Sequence, residues 1–120
     1  MDNQVEDTFI QTINPATNEK LGTYRLMDTS IIEDLIVQAH NCFLDYRKTT
    51  FAQRTEWMRR AAALLEERKH ALAETITLEM GKTLKSSISE VEKCAWVCRY
   101  YSAHAEAFLA DEIVETDATK

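Results

Sequence analysis

The sequence predicts a mostly α-helical chain that opens with a β-hairpin, and three observations carry that prediction. From Ser30 onward the apolar residues recur at a period near 3.6, whereas before it two short runs of β-formers flank an Asn-Pro turn cluster. Only 2 Gly and 1 Pro occur in 120 residues, too little punctuation for the many short strands of a sandwich or barrel. Apolar residues make up 45% of the chain, enough to build a core for one domain or for part of a larger one.

The hairpin is expected over about residues 9–26. Phe9–Asn14 and Lys20–Leu26 carry the β-formers. Between them lies Asn14-Pro-Ala-Thr-Asn-Glu19, whose Pro fixes φ and whose Asn side chains can bond nearby backbone. A lone hairpin is marginal in water, so this one must lie against another element. The first helix is expected over about residues 30–47. Ser30-Ile-Ile-Glu33 has the form of a capping box, and Ile31, Ile32, Leu35, Ile36, Ala39, Phe43 and Tyr46 trace one apolar face.

Thr50-Phe-Ala-Gln53 repeats the cap and opens a helical stretch over about residues 51–80. Trp57, Met58, Ala61, Leu64 and Leu65 are expected inward, with Arg54, Glu56, Arg60 and Glu67 outward. Gly81 is the natural left-handed terminator, and the pattern leaves open a break near Lys69–His70. The last helix is expected over about 83–109, capped by Thr83. Leu84, Ile88, Val91, Ala95, Cys98, Ser102, Ala105 and Leu109 alternate steps of four and three, the spacing of a helix packed lengthwise on another. Trp96, Val97, Tyr100, Tyr101 and Phe108 fall outside that seam, so this helix is apolar all round. Two other long helices and a hairpin cannot cover it on every side. The expectation is therefore a chain truncated at its C-terminus, or one that borrows cover from a partner. The stretch from Glu112 to Lys120, which ends without a terminator, is read the same way.

Charge and cysteine content narrow the function. The balance of 14 Lys+Arg against 20 Asp+Glu gives a net charge of -6, the wrong sign for a phosphate-backbone binder, so no nucleic-acid partner is expected. Met1–Asp7 has neither a basic n-region nor an apolar h-region, and no later stretch reaches the ~18 uninterrupted apolar residues of a membrane span. Cys42, Cys94 and Cys98 are an odd set, read as free, buried, inert thiols in a reducing compartment. A cytoplasmic protein without membrane contact is the expectation. Cys94 and Cys98 with His104 and His40 lack the loop-borne spacing of a zinc site, and no metal site is assigned. No cysteine sits at a helix N-terminus where a nucleophile would be activated. Gly81-Lys82-Thr83 fails as a phosphate loop, because position 76 is Ile where the pattern needs Gly. Glu79 is read as paired with Lys82 or exposed, in preference to a general base.

Taken in order, Ile13-Asn-Pro-Ala-Thr-Asn-Glu19, Trp57 to Leu65, Ile76-Thr-Leu-Glu-Met-Gly-Lys82 and Glu90-Val-Glu-Lys-Cys-Ala-Trp-Val-Cys-Arg-Tyr-Tyr101 resemble the N-terminal part of the NAD(P)+-dependent aldehyde dehydrogenases. The wording Glu-Met-Gly-Lys followed by Glu-Val-Glu-Lys looks most like the succinate semialdehyde dehydrogenase branch. Asn18 stands where that family usually has Gly, but Asn tolerates φ > 0. The resemblance implies an α/β fold for the complete protein: a Rossmann-like coenzyme domain, a catalytic domain and a small β oligomerisation arm, assembled as a homo-oligomer. It implies thiolate attack on a small aldehyde, hydride transfer to NAD or NADP, and hydrolysis of the thioester.

The family's nucleophilic Cys, general-base Glu, oxyanion Asn and coenzyme Lys lie downstream of the matching segment. No catalytic or cofactor-binding residue is therefore placed here, and the chain alone is expected to bind no coenzyme and to be inactive. The resemblance also suggests that Ser89, Lys93, Trp96 and Tyr100, a stripe opposite the seam, face the mouth of the aldehyde passage. Trp96 would wall it and Lys93 attract a carboxylate; the alternative is a solvated Lys93 and a Trp96 filling a domain interface. Two readings from other classes are a non-enzymatic helical interaction module and a metal-binding helical bundle.

Overall fold

The computed structural model describes residues 9–117. The leader reading of Met1–Asp7 and the last residues of the C-terminal stretch lie outside them. β1 (Phe9–Ile13) and β2 (Lys20–Arg25) form a two-stranded antiparallel sheet with Phe9 opposite Arg25 and Ile10 opposite Tyr24. Its turn is closed by its own residues. Asn14 N–H donates to the Glu19 carbonyl and Asn18 N–H to the Asn14 carbonyl, both at 2.8 Å, while Asn14 Oδ1 accepts from Ala16 N–H at 2.9 Å. Asn18 takes φ 63°, the left-handed conformation anticipated for it.

Four helices follow: α1 (Thr29–Tyr46), α2 (Phe51–Glu67), α3 (Lys69–Met80) and α4 (Leu84–Phe108). α1 corrects the expected cap. Asp28 is the N-cap, its Oδ1 accepting from Ile31 N–H at 3.0 Å and from the Ser30 hydroxyl at 2.7 Å. A carboxylate is the stronger acceptor, so Ser30 serves it instead of capping the helix. The capping box of Thr50 and Gln53 is present in both directions. The long helical stretch breaks at Arg68 (φ -98, ψ 8), without Gly or Pro, which lets α2 and α3 each lie along α4. Gly81 ends α3 with φ +69°, and a Cβ there would stand 2.9 Å from Pro15 Cγ. The hairpin turn therefore meets the helices at this glycine.

The core is small: Ala62, Ala73, Val91 and Ala95, with Ser87 fully buried beside them. Short side chains let the helices approach closely, and polar bridges fix their register. Thr77 Oγ1 donates to Ser87 Oγ at 3.0 Å between α3 and α4, and Thr55 Oγ1 to the Ser102 carbonyl at 3.1 Å between α2 and α4. The α4 seam differs from expectation at its ends, where Leu84 and Leu109 are exposed, and it includes Ser87, whose hydroxyl is satisfied by Thr77. On α2 the inward face centres on Ala62, with Met58, Ala61 and Leu65 half-buried; Trp57 and Leu64 are exposed. Trp57 instead stacks on Tyr46 at 5.7 Å.

Arg54, expected outward, is half-buried. Its Nε donates to Thr49 Oγ1 at 2.9 Å and its Nη2 to the Tyr46 and Arg47 carbonyls at 3.3 Å, with the guanidinium over the Tyr46 ring. A cation thus satisfies the C-terminal carbonyls of α1. α1 itself buries no residue, and its Ile31, Ile32, Leu35, Ile36 and Phe43 are exposed. The radius of gyration is 21.4 Å, against about 14 Å for a compact chain of this length.

Candidate functional site

Helix periodicity sets Ser89, Lys93, Trp96 and Tyr100 on the side of α4 turned away from α2 and α3, and all four are exposed. The structure extends the stripe. Trp96 stacks on Tyr100 at 5.5 Å, Tyr100 on His104 at 4.4 Å, and His104 on Phe108 at 5.9 Å. The Tyr100 carbonyl accepts from His104 Nδ1 at 2.7 Å, which fixes the imidazole within the column. Four rings therefore climb one face at i,i+4 steps. The sequence pattern weighs His104 as a metal ligand and sets Phe108 only outside the seam; the i,i+4 spacing from Tyr100 is the signal that groups them. Lys93 is exposed and has no ion-pair partner among the described residues.

The charges on the opposite side are mutually engaged. Glu66 accepts from Arg99 Nη2 at 3.0 Å and lies 3.8 Å from Lys69 Nζ, which donates to Glu92 at 2.8 Å. The hydrogen bond to Glu92, followed by that carboxylate's charge, raises the Lys69 pKa above the usual lysine value. Lys82 pairs with Glu90, leaving Glu79 exposed. The cysteines depart from expectation, since Cys42 and Cys94 are exposed and Cys98 only half-buried. Among the described residues, no group of three or more His, Cys, Asp or Glu is placed to hold a metal ion. No helix of the described residues is long and apolar enough to cross a membrane.

In the doubly wound fold a glycine-rich turn from a strand into a helix N-terminus cradles the pyrophosphate of a nicotinamide dinucleotide. Gly22 lies within β2 and Gly81 at the end of α3, so neither glycine forms such a turn. The geometry defines a helical scaffold that presents an aromatic face and a free lysine.

The comparisons with known proteins identify its family. Residues 1–120 match the aldehyde dehydrogenase family, and the chain belongs to it. It is 44% identical over 111 residues to a probable succinate-semialdehyde dehydrogenase [NADP(+)] of Synechocystis sp., covering 92% of this chain and 24% of that protein. A succinate-semialdehyde dehydrogenase [NADP(+)] of Mycobacterium avium is 49% identical over 104 residues, covering 86% of this chain and 22% of that protein. Among solved structures, succinic semialdehyde dehydrogenase from Streptococcus pyogenes in complex with NADP+ superposes with a TM-score of 0.83 at 33% identity, over 89% of this chain and 24% of that one. The chain thus spans about a quarter of the length of the curated relatives it matches.

Proposed function

We propose that this chain is the N-terminal part of an enzyme that oxidises succinate semialdehyde to the carboxylate with NAD or NADP, working as a homo-oligomer, and that the 120 residues alone are inactive. The observation that carries this reading is the 44% identity to a relative named for that reaction, over 92% of the chain. The residues here supply scaffold. The α3–α4 turn at Gly81 and the packed face of α4 set the direction of the helix, and its outer stripe lies along the passage taken by the aldehyde. Trp96 and Tyr100 wall that passage, Ser89 stands at its rim, and the unpaired Lys93 draws in the substrate carboxylate.

A chimera tests the reading. With this chain in place of the matching segment of the Synechocystis relative, succinate semialdehyde and NADP+ yield NADPH; a folded chimera that fails to do so overturns the assignment. In that chimera Lys93→Ala lowers kcat/KM for succinate semialdehyde about threefold to tenfold at low salt and less at high salt, because screening shortens the reach of the charge. An uncharged aldehyde of similar length is unaffected. Equal effects on both substrates remove Lys93 from the passage. The chain by itself gives no turnover; oxidation abolished by Cys98→Ala would refute the claim of inactivity.

A further inference from the structure

The proposed reaction uses none of the three thiols. Cys42, Cys94 and Cys98 are all free, and the last two share α4 four residues apart. α4 is unbroken from Leu84 to Phe108, so helix geometry fixes this pair: residues at i and i+4 lie on one face with Cβ atoms about 5–6 Å apart. That spacing decides what the pair can form. A disulfide needs Cβ atoms about 3.5–4.5 Å apart, which these two reach only if the helix unwinds. A metal ion bonded to both sulfurs in a line spans about 4.5 Å from sulfur to sulfur, with bonds of about 2.3 Å each, and that is within reach of side-chain rotation alone.

The surroundings set the number of ligands at two. One turn before Cys94 stands Glu90, whose carboxylate is held by Lys82; one turn after Cys98 stands Ser102, whose hydroxyl donates to the Arg99 carbonyl at 2.7 Å. Beside Cys94, a groove of about 250 Å³ between α2, α3 and α4 is walled mainly by Leu65, Leu72, Ile76 and Val91. Among the described residues, no third His, Cys, Asp or Glu joins the two thiols to make a group of three.

We infer that Cys94 and Cys98 bind one cuprous ion as a two-coordinate bis-thiolate. Two sulfur donors without oxygen or nitrogen select a soft monovalent ion, since thiolates favour Cu(I) whereas a zinc site takes four ligands. No electron is transferred. Each thiol gives its proton to solvent as its sulfur bonds the metal, copper stays Cu(I), and the ion with its two thiolates carries a single negative charge. Because Cys94 is exposed and Cys98 half-buried, that charge keeps its contact with water. Cys42 has no second thiol on α1 and takes no part. The inference does not rest on the proposed reaction, because it concerns metal binding without turnover.

The test is anaerobic competition for Cu(I), supplied as its bicinchoninate complex, in the chimeric enzyme that carries this chain. The parent should take up one equivalent per chain more than a Cys94→Ser/Cys98→Ser variant, and each single Ser variant should lose that equivalent. Cys98→Ser combined with Trp96→Cys keeps two thiols but sets them on different sides of α4, and should hold copper at least about tenfold more weakly. X-ray absorption at one equivalent of Cu(I) should show two sulfur ligands and nothing else, and an equal amount of Zn2+ should leave the copper in place. Circular dichroism verifies that each variant keeps its helices. Uptake no greater than that of the double Ser variant, nitrogen or oxygen ligands on the copper, displacement by Zn2+, or undiminished binding after the thiol is moved to position 96 overturns the inference.

Discussion

Gly81 meets two demands at once, and substitution separates them. Its φ of +69° is a left-handed conformation that costs an L-residue with a Cβ about 1–2 kcal/mol. The added Cβ would also stand 2.9 Å from Pro15 Cγ, a contact no side chain tolerates without movement. Overpacking of this kind costs about 1–3 kcal/mol, and because Pro15 sits on a hairpin that can shift, the lower half of that range applies. Gly81→Ala should therefore destabilise the chain by about 2–4 kcal/mol, and Gly81→Val by at least as much. Gly81→Asn relieves most of the backbone cost but keeps the collision. Pro15→Ala removes Cγ and leaves a Cβ at 3.7 Å, an ordinary contact, so in that background Gly81→Ala should cost only the backbone share. The assay is urea unfolding of the chimeric enzyme that carries this chain, followed by far-ultraviolet circular dichroism, in which lost stability lowers the midpoint. A coupling of about 1 kcal/mol or more between the two substitutions is expected. Additive costs would refute the contact between hairpin and helix, and an unmoved midpoint for Gly81→Ala would refute the left-handed terminator.

Three further outcomes follow from the caps and the exposed faces. Thr50→Ala removes the bond from Gln53 N–H to Thr50 Oγ1 while keeping that from Thr50 N–H to Gln53 Oε1, and should cost about 1 kcal/mol, seen as faster amide exchange at Gln53; unchanged exchange there would contradict the cap. The Asp28 carboxyl is held below the usual aspartate range, first by the Ser30 hydroxyl and next by the Ile31 N–H. Its support of α1 is thus fully present above about pH 4 and is lost as the pH falls through the lowered folded value. Asp28→Asn should keep the cap and abolish that acid dependence, and an Asp28→Asn chain in which α1 still loses protection on acidification would show the dependence to lie elsewhere. The 120-residue chain should bind a hydrophobic dye and associate in sedimentation experiments, whereas a dye-free compact monomer with a sharp cooperative melt would favour a self-contained module.

Signals that reside in local chemistry were readable in the sequence, and those that depend on tertiary competition were not. Thr50 with Gln53, Asn18 in its turn and Gly81 at its terminus all act within a few residues, and each appears where the residue types point. The cap of α1 was misplaced because Ser30 and Glu33 satisfy the pattern while Asp28, two residues earlier, is the better acceptor. The break at Arg68 has no breaker residue to announce it; it arises from the fit of two helices along a third. Arg54 looks like a solvated charge until the C-terminus of α1 is seen beside it. On α4 the stripe from Ser89 to Tyr100 followed from periodicity, but its extension through His104 and Phe108 required asking which rings can stack at i,i+4.

The two sides of α4 are built for different work, and the magnitudes show why. The packed side offers Ser87, Val91, Ala95 and Ser102, short residues whose burial yields little hydrophobic free energy at about 0.8 kcal/mol per methylene. Its register is held by directional bonds instead: Thr77 to Ser87, Thr55 to Ser102, Lys69 to Glu92 and Arg99 to Glu66. The outer side carries Trp96, Tyr100 and Phe108, and Trp96 and Phe108 are 57% and 58% exposed. An aromatic side chain offers about 150–250 Å², so covering the exposed half of one contributes about 2 kcal/mol. The larger reserve of apolar free energy in this helix therefore lies on the side that the described residues leave open. Substitutions on the packed side should alter helix geometry, whereas substitutions in the aromatic column should leave that geometry intact and change what the helix associates with.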